Sequence, residues 1–146
     1  MNSSAAARWT WSAAGFVAAS ALFLARDLLA ADPPPKAVVK TAFSEKLPNV
    51  PGKMLTGIHV AYPPGAKSSS HAHAGSVYAY VLSGKVRSEN SVTGPARVYS
   101  AGEGFFEPPG SVHTISENAS DTEPATLLAI FVADEGAELS RPAPQK

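Results

Sequence analysis

The sequence contains no cysteine, and that absence removes disulfides, thiolate zinc sites, iron–sulfur clusters and thiol nucleophiles from the chemistry open to it. It leaves the compartment undecided, because export permits disulfides without requiring them. No basic excess exists either. The 12 Lys and Arg stand against 12 Asp and Glu, with no basic block and no stripe of cations interleaved with aromatics. The pattern gives no nucleic-acid footprint, and the expected partner is a small molecule. Sustained helical periodicity and internal repeats are also missing. With 146 residues, the chain suffices for one domain and no more.

What is present begins with a segment different in kind from the rest. Arg8 is the only charged side chain ahead of an apolar, alanine-rich run from Trp9 to Ala25, which Arg26 and Asp27 interrupt. A positive start, an apolar stretch and small residues at its end describe a secretory signal, so residues 1–31 are assigned to a signal peptide or, if uncleaved, a membrane anchor. Periplasmic or secreted placement follows as an expectation, with a membrane-anchored form facing the periplasm as the alternative. The exit is not clean, since Ala19-Ser20-Ala21 fits the small-x-small rule better than Ala30 or Ala31 but lies inside the apolar run. A proline leader, 32–36, comes next and reads as stiff and extended. Beyond Ala31 lie ten of the 12 basic and eleven of the 12 acidic side chains.

From Ala37 onward, short apolar runs alternate with turn signals. Ala37–Phe43, Met54–Tyr62, Val77–Leu82, Lys85–Arg87, Ala96–Tyr99, Phe105–Phe106, Val112–Ser116 and Ala125–Ala133 read as extended segments. Pro51-Gly52, Pro63-Pro64-Gly65, Ser83-Gly84, Ala101-Gly102 and Pro108-Pro109-Gly110 punctuate them. The rhythm predicts an all-β sandwich or barrel over 37–134, with a polar, mobile tail from 135 to 146.

Histidine occurs four times, at 59, 71, 73 and 113. In an extended chain, residues two apart share a face, so His71 and His73 present two imidazoles about 6.5 to 7 Å apart at the backbone, close enough to converge on one ion. A His-x-His alone is more often a polar loop. The turns at Gly102 and Pro108-Pro109-Gly110 can deliver His113 onto the same interior face. His59 matches no such pattern and reads as structural or surface.

These residues, in this order, resemble the cupin family. Gly65, His71, His73 and Gly84 match its first motif; Gly102, Pro108, Gly110 and His113 match its second, with Asn118 one place late. Seventeen residues separate Gly84 from Gly102, as suits a minimal single-domain cupin. The resemblance covers roughly Leu55 to Val132. It implies a small antiparallel β-barrel of jelly-roll type in which His71, His73 and His113 hold a divalent metal ion inside the barrel. A homodimer is the expected assembly.

The chain departs from the family pattern at one place. The first motif's glutamate falls on Val77, or on Tyr78 by the alternative spacing, so an acid is missing. Three neutral imidazoles leave the ion's charge near +2. Iron, manganese, zinc, nickel and copper all accept imidazole, and spacing does not choose among them. Glu107, directly before the Pro108 turn and of the same extended parity as Phe105, is the candidate catalytic carboxylate. It is open to three roles: replacement ligand, partner of an imidazole N–H, or acid–base group. Glu117 is a weaker candidate. Tyr78 and Tyr80 share a face and read as core or interface aromatics; Phe105 reads as barrel lining and Phe106 as outer packing. The expected function is an exported metal-binding cupin, either an enzyme of oxygenase, lyase or isomerase type acting on a small oxygen-bearing molecule or a non-catalytic periplasmic binding module.

Overall fold

The computed structural model describes residues 33–144, and the segment assigned to a signal or anchor lies outside the described residues. Within them there is no helix. The chain forms ten strands: β1 (Val38–Lys46), β2 (Lys53–Tyr62), β3 (His71–His73), β4 (Ser76–Ser83), β5 (Lys85–Asn90), β6 (Gly94–Ser100), β7 (Gly104–Glu107), β8 (Val112–Asn118), β9 (Ala125–Asp134) and β10 (Ser140–Pro142). They make two five-stranded antiparallel sheets, ordered β1-β2-β9-β4-β7 and β10-β3-β8-β5-β6. This is the all-β, jelly-roll-type barrel expected from the turn rhythm and the motifs.

Period-two burial explains why these segments pair as they do. Along β9, Ala125, Leu127, Ala129, Phe131 and Ala133 are buried while Thr126 to Val132 alternate outward. β4 buries Val77, Ala79 and Val81 in the same way, and these side chains meet Tyr62, Phe105 and Val86 in one core. A slip of one residue would turn this whole set to solvent, which fixes the register. The turn glycines of the motifs sit where the backbone needs them. Gly84 has φ +68° and lies hard against the backbone of Pro124 and Ala125, and Gly110 has φ +75° in the turn before β8. Phe105 lines the interior and Phe106 points outward, as their alternation predicts.

One expectation needs correction. The tail does not leave the fold at 135. β10 pairs with β3 in the register Ser140↔His73, Arg141↔Ala72 and Pro142↔His71. All three β10 side chains are exposed, so no apolar alternation announces the strand; main-chain pairing along the free edge of β3 selects it. The late Asn118 also has a structural reason. Between β5 and β8 the register shifts, with Glu89 opposite Ile115 and Asn90 opposite His113, so Thr114 is an extra residue in a bulge. That bulge returns Asn118 to the inner face, where its amide donates to the carbonyls of Tyr62, Pro63 and Glu123 and its oxygen accepts from the Ser120 N–H.

Candidate metal centre

The three motif histidines converge. One ring nitrogen from each of His71, His73 and His113 lies within 4.8 Å of the others. β3 supplies the first two on one face. β8 supplies the third, with His113 directly opposite His71 in the ladder. Their partners decide which nitrogen is free. Nδ1 of His71 is 2.7 Å from the Ser69 carbonyl, and Nδ1 of His73 is 2.9 Å from the Leu139 carbonyl. A carbonyl only accepts, so both Nδ1 atoms carry the proton and both Nε2 atoms keep a lone pair. Burial pushes the pKa of His71 below the usual imidazole value, partly offset by the Ser69 bond, and so favours the neutral, ligating form.

His113 is held differently. Its Nε2 lies 2.8 Å from the Ser88 hydroxyl and its Nδ1 3.2 Å from Oε2 of Glu107. A hydroxyl can donate or accept, so Ser88 is compatible with either tautomer of His113. Phe105 packs edge-on against this ring, and Phe131 against that of His73.

Glu107 points inward, as its parity with Phe105 predicts, and is only 3% exposed. Its Oε2 also lies 3.8 Å from Nε2 of His73 and accepts from the Asn90 amide at 3.3 Å. Burial works to raise its pKa. The His113 hydrogen bond and the charges of His113, His73 and His71 outweigh this and hold the carboxyl below the ordinary range.

The four side chains open onto a cavity of about 330 Å³ between the sheets. Its walls are mostly apolar, from Ile58, Val60, Leu127, Ala129 and Phe131, and no Lys or Arg lines it. Tyr62 reaches the same space, its hydroxyl 2.7 Å from that of Ser116. Burial pushes its pKa up, partly offset by Ser116 and Ser68, so it stays a phenol. The donor set fits a divalent ion: three imidazoles, two with defined free nitrogens, beside one buried carboxylate.

The remaining candidates fall elsewhere. His59, half-buried in β2 opposite Lys40 and Leu128, is not in the cluster. Glu117 faces outward and pairs with Arg87 at 2.9 Å and Lys67 at 3.1 Å. Tyr78 and Tyr80 are exposed on the outer face of β4 and are not core. Ser88, Asn90 and the Leu139 carbonyl went unnoticed in the sequence. For the first two a signal existed, since they alternate with Val86 along β5, all three buried.

Two antiparallel sheets around a histidine-lined cavity define a small β-barrel with residues able to bind a metal at one site. A family model described as the cupin domain matches residues 58–131, and the chain belongs to the cupin family. Solved structures agree on the fold. A cupin-like protein from Thermotoga maritima is 22% identical with a TM-score of 0.58, over 75% of this chain and 77% of that one. A DMSP lyase from Ruegeria pomeroyi is 18% identical with a TM-score of 0.60, over 74% of this chain and 52% of the lyase. An oxalate decarboxylase is 29% identical with a TM-score of 0.54, over 70% of this chain and 28% of the decarboxylase. No curated protein matches the chain.

Proposed function

We propose that this protein is an exported cupin that binds a divalent metal ion through His71, His73 and His113 and works as a metal-dependent enzyme of oxygenase, lyase or isomerase type on a small oxygen-bearing molecule. The observation that carries the proposal is the convergence of three imidazole nitrogens within 4.8 Å on a cavity that also holds a buried carboxylate. When bound, such an ion supplies a Lewis acid for a ligand oxygen. The chain's own residues do the rest. His71 and His73 are locked in their ligating tautomers, the apolar walls offer water few partners, and turnover depends on Glu107, the carboxylate beside the histidines. With no Lys or Arg lining the cavity, the fitting ligand has an apolar body and one oxygen-bearing head. That the barrel is shared with a DMSP lyase and an oxalate decarboxylase supports an enzymatic reading.

Elemental analysis of protein isolated without added metal tests the site. One equivalent is expected in the wild type and a near-complete loss in His71→Ala and His113→Ala; stoichiometric metal persisting in both variants would end the shared-ion reading. The apolar lining also favours a second reading, a non-catalytic module that binds a small molecule or metal. Ligand-dependent stabilisation without any turnover of the metal-loaded protein selects it.

Export rests on the pattern of residues 1–31, and intact mass of the periplasmic protein checks it: a chain retaining Met1 to Ala30 contradicts cleavage. Homodimerisation is supported by Tyr78, Tyr80, Phe106 and Val132, exposed together on the outer face of β4, β7 and β9. A monomer mass by light scattering at micromolar concentration rules it out.

A further inference from the structure

We propose that Glu107 is itself a ligand of the ion, delivering from β7 the acid that the first motif lacks on β4. The assignment rests on the metal-binding reading above and specifies the role of one residue within it. The register is the first argument. Val77, where the motif's acid is missing, lies directly opposite Glu107 in the β4–β7 ladder. Side chains directly opposite in an antiparallel pair project from the same face, about 4.5 to 5.5 Å apart at Cβ. A carboxylate lost at 77 and supplied at 107 therefore reaches the same interior space from the neighbouring strand.

Distance is the second argument. With bonds of about 2.0 to 2.2 Å, adjacent donors around a tetrahedral or octahedral ion are roughly 3 to 3.5 Å apart. Oε2 of Glu107 lies 3.8 Å from Nε2 of His73, the nitrogen that the Leu139 carbonyl leaves free, close to the edge of such a shell, while the 3.2 Å contact with Nδ1 of His113 brings the same oxygen beside the third imidazole. Asn90 holds that same oxygen, and Ser111 holds Asn90 in turn at 2.8 Å, its own hydroxyl donating to the Pro108 carbonyl. The carboxylate is thus aimed by a chain of hydrogen bonds that begins at the Pro108 turn.

Charge is the third argument. A carboxylate 3% exposed in an apolar cavity needs a positive partner. Among the described residues its ion-pair partners are only His73 and His113, whose neutral forms are the ligating ones, and no Lys or Arg lines the cavity. A divalent ion provides that charge, and the carboxylate brings the net charge of the site from +2 to +1. Val77 itself is buried, 1% exposed, on that interior face.

Cobalt(II) added to the metal-free full chain tests the assignment. In Glu107→Gln, affinity measured by chelator competition is expected to fall by more than roughly 100-fold, the upper range for loss of a mere outer partner. The visible ligand-field spectrum is expected to change with the lost oxygen donor. The exchanged pair Val77→Glu with Glu107→Val, returning the acid from the opposite strand, is expected to recover both. Cobalt bound by Glu107→Gln with wild-type affinity and an unchanged spectrum overturns this assignment while leaving the histidine site intact. A wild type that binds no cobalt overturns the metal reading and the assignment together.

Discussion

The two walls of the barrel are made of different material. The inner face of the sheet β1-β2-β9-β4-β7 is almost wholly apolar, with Val77, Ala79, Val81, Leu127, Ala129 and Phe131 buried along β4 and β9 and Glu107 the one acidic side chain at its end. The inner face of β10-β3-β8-β5-β6 is mostly polar: His73, Ser88, Asn90, His113, Ser116 and Asn118 are all buried there. Every one of those polar side chains has a partner, since no buried side-chain nitrogen or oxygen among the described residues is left unsatisfied. One wall supplies hydrophobic free energy. The other gives up part of that stabilisation to orient three imidazoles, and its hydrogen bonds keep the exchange tolerable.

Substitutions that break each wall should fail in different ways. The largest effect is expected on the apolar side. Phe131→Ala should lower unfolding free energy by about 3 to 5 kcal/mol, read by chemical denaturation, because it leaves a cavity beside His73. A smaller loss is expected on the polar side, where Asn118→Ala strips donors from the carbonyls of Tyr62, Pro63 and Glu123 and should cost about 1 to 3 kcal/mol. Equal losses at the two positions would erase the distinction between the walls.

The smallest effect belongs outside both. Glu117→Gln removes the exposed pairs with Arg87 and Lys67, and the change should stay within about 1 kcal/mol and shrink in salt. Burial alone would raise the Glu117 pKa, but the bonds from Arg87 and Lys67 hold it below the ordinary value. Its contribution is therefore present in full above the unfolded glutamate value of about 4.3 and is lost as pH falls through the lower folded value. Denaturation curves of wild type and Glu117→Gln should thus converge in acid; a gap that widens there contradicts the sign.

The same contrast explains what was legible in the sequence. β2, β4 and β9 announce themselves because they form the apolar wall, and alternation of Val, Leu, Ile and Phe is visible in one dimension. β3 and β10 are three residues long, with polar or exposed side chains, and exist through main-chain pairing that no side-chain pattern encodes. The histidines were readable because motif spacing marks them. The loss of an acid at Val77 was readable too, and so was the inward parity of Glu107. That these two positions face each other was not, because register across separate strands is a property of the folded sheet. The one-residue delay of Asn118 looked like a departure from the pattern and is a bulge at Thr114.

The hydrogen bond from His73 to the Leu139 carbonyl joins residues 66 positions apart. In the unfolded chain an ion would meet only the short bite of His71 and His73. His113 joins them through the β3–β8 pairing, and the acceptor that fixes the His73 tautomer arrives from beside β10. Closing such loops must precede any gain from the contacts they make. An ion at this site therefore secures a finished barrel instead of seeding one, and its kinetic signature should fall on the rate of unfolding, with the rate of folding left nearly unchanged.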